Sequence, residues 1–114
     1  GGRATVPLNG DIKSYKTGTI EIQGGNIHAV GGDCWFKGSA TRLGGAGIGT
    51  GMYGIGGTVR ILGGTVKAEG GRDTGAGIGG GDNGAVDLIQ IGGKNGEAPE
   101  VEASSWNVKY GAAI

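Results

Sequence analysis

Apolar and polar residues alternate with a period of two along short runs that are separated by glycine pairs. In the run from Thr19 to Ile22, Ile20 and Ile22 face one way while Thr19 and Glu21 face the other. Val59 and Ile61 alternate with Arg60 in the same manner, and Val66 and Ala68 alternate with Lys67. Thr, Val and Ile favour strands, and no apolar stripe at i, i+3, i+4 runs through the chain, so the pattern predicts an all-β fold. Gly24 with Gly25, Gly63 with Gly64, and Gly92 with Gly93 lie where these runs must turn. Glycine adopts left-handed backbone angles without steric cost, so the three pairs are read as structural corners.

The runs belong to an internal repeat. Residues 18–32 read GTIEIQGGNIHAVGG and residues 57–71 read GTVRILGGTVKAEGG, followed by GGAGIGTG at 44–51 and GAGIGGG at 75–81. The first copy carries nine more residues than the second, within 33–43. A looser third copy follows, in which 85–89 matches 58–62, Val101 to Ala103 matches Val66 to Ala68, and 94–99 is inserted. The closing residues 111–114, Gly-Ala-Ala-Ile, match Gly75 to Ile78, so the sequence reads as a fragment of a longer repeat protein.

Only seven positions separate Val59 from the equivalent Val66. That is too tight for a parallel crossover within one sheet, and it suits a chain that bends at a corner and starts a strand on a second face. The expected architecture is a parallel β-helix of about three coils with three faces each, stacked roughly 4.8 Å apart. The coils fall at about 18–53, 54–83 and 84–114, with 1–17 a cap or a preceding coil. Stacking predicts two outward ladders: Glu21, Arg60 and Asp87 on one face, and His28, Lys67 and Glu102 on the next. The first alternates acid, base and acid, and opposite charges on neighbouring strands are favourable.

Glycine accounts for 31 of 114 residues, several times its ordinary usage, yet no Gly-X-Y period appears and collagen is excluded. Ten Lys and Arg balance ten Asp and Glu. That balance supplies no basic field for nucleic acid, and no apolar run is long enough for membrane insertion by a helix. The one Cys, Cys34, has no partner for an internal disulfide.

The pattern GTVRILGGTVKAEGGRDTGAGIGGG resembles the Gly-rich repeats of large bacterial cell-surface and secreted proteins. Those repeats end in Gly-Ala-Gly-Ile-Gly-Gly-Gly and form right-handed parallel β-helices. The resemblance covers 18–93 well and 94–114 loosely. Its departures are the aromatic insertion at 33–43 and Ala112-Ala113 in place of an Ala-Gly step. It implies an extracellular or cell-surface stalk, adhesin-like or carbohydrate-associated, and it brings no catalytic residues.

Within the insertion, Trp35 and Phe36 are adjacent and face opposite ways on an extended strand. They either cover the edge of the coil, touch a neighbouring chain or domain, or stack on a sugar ring. Trp106 and Tyr110 are read as packing on the last coil or on the next module. His28 has no metal-ligand spacing around it and reads as an outward strand residue, so no metal site is expected. Residues 80–88 miss the spacing of a calcium-binding nonapeptide, and Asp82-Asn83-Gly84 reads as a turn. The glycine runs lack the following helix and Lys-Ser/Thr of a phosphate loop. No catalysis and no cofactor are expected. The leading expectation is a structural or adhesive module, a stalk or a self-assembling filament subunit. Its partners are same-type repeats or neighbouring chains at the open coil ends. A carbohydrate-binding module using 33–43 is the alternative, with polysaccharide as its partner. A fragment of a β-helical polysaccharide lyase or hydrolase is the second alternative.

Overall fold

The computed structural model describes residues 16–34, 38, 43–93, 98–105 and 112–114. These residues are all-β and contain no helix. In chain order the strands are β1 (Thr19–Ile22), β2 (Asn26–Val30), β3 (Asp33–Cys34), β4 (Leu43–Gly44) and β5 (Ile48–Gly49). They continue as β6 (Thr58–Ile61), β7 (Thr65–Glu69), β8 (Ile78–Gly79), β9 (Leu88–Ile91) and β10 (Glu100–Ser104).

Three small sheets are parallel, and each joins equivalent strands from successive copies: β1-β6-β9, β2-β7-β10 and β5-β8. The second copy is the middle strand wherever three are present. Isolated parallel bridges join Lys16 to Ile55 and Ile55 to Ala85, so the same order holds between the sheets. A hairpin, β3 with β4, is the antiparallel exception. Its base pairs Asp33 with Gly44, and its interior falls within the long insertion of the first copy.

The register places Ile20 opposite Val59 and Ile22 opposite Ile61, and it places His28 opposite Lys67 and Lys67 opposite Glu102. The second outward ladder is therefore as expected. The first is not. Arg60 pairs with Gln90, and Asp87 lies ahead of β9, its N–H donating to the carbonyl of Gly57 at 3.1 Å. The preceding turn sets this register. Gly54 N–H donates to Gly51 in the first copy as Gly84 N–H donates to Gly81 in the second. Ile55 and Ala85 then stand level, so three residues on Thr58 meets Leu88. Matching 85–89 to 58–62 is off by three, an odd number, which exchanges the two faces of a strand. Leu88 is accordingly outward and 49% exposed, while Ile89 turns inward onto the core.

The core is made chiefly by the second copy. Val59, Ile61, Val66, Ala68 and Ile78 are buried, with Ile48 from the first copy. Their partners Ile20, Ile22, Ile27 and Ala29 on one side, and Ile89, Val101 and Ala103 on the other, are only partly buried. A strand side chain covered by neighbours on both sides loses its water, whereas one at an edge keeps part of it.

Glycine is needed where the copies approach closely. Gly49 and Gly79 have φ of +139° and +140°, and a Cβ on Gly49 would run into the Gly79 carbonyl. Gly25 and Gly64, each second in its pair, take φ of +91° and +85° between consecutive strands. The third copy turns differently: Gly92 N–H donates to Ile61, as Leu62 N–H donates to Ile22. Gly92 thus follows β9 at the place where the second copy has Leu62.

Candidate functional site

Among the described residues, the surfaces that carry polar groups are the outward ladders, the edge strands of the sheets and the base of the β3 and β4 hairpin. On the first face Glu21, Arg60 and Gln90 stand in a row because β1, β6 and β9 are in register. Glu21 accepts a hydrogen bond from Gln23 Nε2 at 2.7 Å. The Arg60 guanidinium has no hydrogen-bond or ion-pair partner among the described residues. With Leu62, Gly92 and Gly93 the row lines a shallow groove of about 280 Å³.

On the second face His28 Nε2 and Glu69 Oε2 are 2.5 Å apart, joining β2 to β7. The hydrogen bond to His28 holds the Glu69 carboxyl below the usual carboxylate range, helped by the positive charge of Lys67. Period-two alternation places His28 outward but does not single out Glu69. The available signal was Val30 pairing with Glu69, which brings the carboxylate diagonally next to His28.

Among the described residues, β9 and β10 each have a single neighbour. The same holds for β1 and β2. The column of β5 and β8 continues into the third copy: Gly77 N–H donates to Ala112 at 3.2 Å and Ile78 N–H to Ala113 at 2.9 Å. The same bonds run from Gly47 to Ala76 and from Ile48 to Gly77, each at 3.0 Å, so Ile114 stands level with Ile48 and Ile78. Beyond it the edge of residues 79–84 borders a groove of about 490 Å³.

Trp35 and Phe36, and likewise Trp106 and Tyr110, lie outside the described residues. Cys34 is placed by its backbone pairing to Leu43 at the base of the hairpin. Residues 81–84 form a turn, with Asn83 at φ +52° and Asn83 Nδ2 donating to Asp82 Oδ2 at 2.9 Å. Tyr53, at the matching place in the first copy, has φ of +58°. Two hydroxyls bind the copies together: Thr74 Oγ1 accepts from Gly44 N–H at 2.7 Å, and Thr50 Oγ1 from Gly81 N–H at 3.3 Å. Among the described residues no three of His, Cys, Asp and Glu gather into a metal-binding group. No helix there is long and apolar enough to cross a membrane. No family model, curated protein or solved structure matches the chain.

Proposed function

We propose that the chain is a structural module, a segment of parallel β-helix whose copies are successive turns of one stack. It serves as a stiff spacer in an extracellular or cell-surface protein of the adhesin-like kind. What supports the reading is the gradient of burial across equivalent positions. Ile61, between two neighbours, is 0% exposed, whereas its register partner Ile91, at an open edge, is 41% exposed. Each copy completes the dry interior of the next, and an end copy leaves an interior half made. A row of unpaired backbone groups at such an end is a template for another strand.

The test is to lengthen the stack. A second version of residues 55–84 is inserted after Gly84, carrying Arg60→Glu, Lys67→Gln and Glu69→Gln so that no like charges meet in the strand ladders. A β-helix gains one buried turn, and the urea midpoint followed by far-UV circular dichroism rises. A protein that unfolds, or that melts earlier than the parent, rules the architecture out.

A further inference from the structure

We propose that the row of Glu21, Arg60 and Gln90 on the first face binds a sugar acid, a hydroxylated ring carrying one carboxylate, with the Arg60 guanidinium gripping that carboxylate. The site needs only the sheet β1-β6-β9, and it uses none of residues 33–43.

Arg60 is firmly placed and unspent. It lies on β6, the middle strand, which is paired on both sides, so its backbone is fixed by two neighbours. Register sets it directly beside Glu21, and an acid and a base so placed would ordinarily join. Among the described residues they form no ion pair. The Glu21 carboxylate accepts instead from Gln23 Nε2 at 2.7 Å, through Oε1. All the guanidinium N–H donors of Arg60 are left for a ligand, and their planar fork matches the two oxygens of a carboxylate.

The groove sets the size. Gly92 stands at the register place of Leu62, so the third copy brings no side chain there, and a Cβ on Gly92 would meet nothing within 4 Å. What results is an open trough of about 280 Å³ bordered by Leu62, Gly92 and Gly93. Pockets for larger ligands begin at roughly 300 Å³, so this one suits a single ring. With strands about 4.8 Å apart, the row from Glu21 to Gln90 is about 10 Å long, enough to reach opposite sides of that ring.

The lining sets the chemistry. Glu21 keeps acceptor capacity on Oε2, Gln90 is exposed and offers both a donor and an acceptor, and half-buried Leu62 presents an apolar side chain to ring C–H groups. Ring hydroxyls therefore donate to Glu21 and exchange hydrogen bonds with Gln90. Glu21 also discriminates among anions. Phosphate brings more than one negative charge beside it, whereas a sugar acid brings one and turns hydroxyl protons toward it. A neutral sugar leaves the guanidinium without its partner.

The test is a titration of the whole chain with D-glucuronate, D-glucose and inorganic phosphate, followed by the side-chain N–H signals of Arg60 and Gln90 in nitrogen-edited NMR. D-glucuronate should move both signals saturably, with Kd about millimolar for so shallow a groove. D-glucose should move neither, and phosphate should bind about tenfold more weakly. Arg60→Lys keeps the charge but loses the fork, and should weaken D-glucuronate about tenfold. A glucuronate oligomer that binds at least about tenfold tighter than the monomer assigns the site to a polysaccharide, and equal affinity assigns it to the free acid; both keep the sugar acid. The absence of a saturable shift, D-glucose or phosphate binding as tightly as D-glucuronate, or Arg60→Lys binding as tightly as the parent overturns the proposal. The comparison of ligands on the parent needs no variant to fold. Far-UV circular dichroism of the same samples separates the two readings: a folded chain that ignores D-glucuronate removes the site and keeps the β-helix, whereas a chain without strand signal removes both.

Discussion

Ile22, Ile61 and Ile91 are one side chain at three equivalent places, aligned in a single inward column. Replacing each by Ala in turn measures what a neighbouring copy is worth. Ile→Ala removes three carbons, or about 2.4 kcal/mol of transfer free energy at full burial. Ile61 is 0% exposed and sandwiched, so a cavity adds about 1–2 kcal/mol and the total is about 3–4 kcal/mol. Ile91 is 41% exposed, which leaves about 1.4 kcal/mol, and no enclosed hole forms at an open edge. Ile22, half-buried, falls between the two. The gap of about 2 kcal/mol corresponds to about 1 M in urea midpoint for a domain of this size. The assay is equilibrium urea unfolding followed by far-UV circular dichroism at low protein concentration. Equal losses at all three positions, within about 0.5 kcal/mol, would refute the argument that only the middle copy is covered on both sides.

Two further outcomes follow from single positions. Gly49→Ala should destabilise severely, because φ is +139° and the new methyl meets the Gly79 carbonyl, whereas Gly24→Ala has open space and should cost less than about 1 kcal/mol; thermal melts of the two proteins decide it. The His28 contact lowers the Glu69 pKa, so the pair contributes fully above the ordinary carboxylate range and less as the pH falls through and below it. The difference in urea midpoint between the parent and Glu69→Gln should therefore shrink from about pH 6 to about pH 3, and a constant difference would show that the contact contributes nothing to folding.

Much of the strand content was legible because period-two alternation and glycine pairs are local signals. Glu21 with Arg60, and His28 with Lys67 and Glu102, could be paired from the repeat alone. Gln90 could not. The segment from Val86 to Ile91 offers inward apolar residues in either of two phases, so alternation by itself leaves its register open. The turn of residues 81–84 settles it by repeating the geometry of 51–54, and those two turns share only their flanking glycines in sequence. The His28 and Glu69 contact was hidden for a different reason. It crosses two strands on a diagonal, so the repeat alignment shows it only indirectly, through the Val30 and Glu69 pair beside His28.

The spacing of the parallel ladders also bears on how the protein comes to be folded. Ile20 meets Val59 across 39 positions and Val59 meets Ile89 across 30, roughly a third and a quarter of the 114-residue chain. Contacts of that separation exceed the relative contact order of about 0.16–0.22 found for slow all-β domains. A first ladder can form only after two whole copies have been brought together, with the hairpin of residues 33–44 lengthening the first loop. The third copy then adds to an existing template across a shorter loop. Slow nucleation followed by faster templated growth means that the edge which accepts the last copy of one chain is open, for a time, to the strands of another.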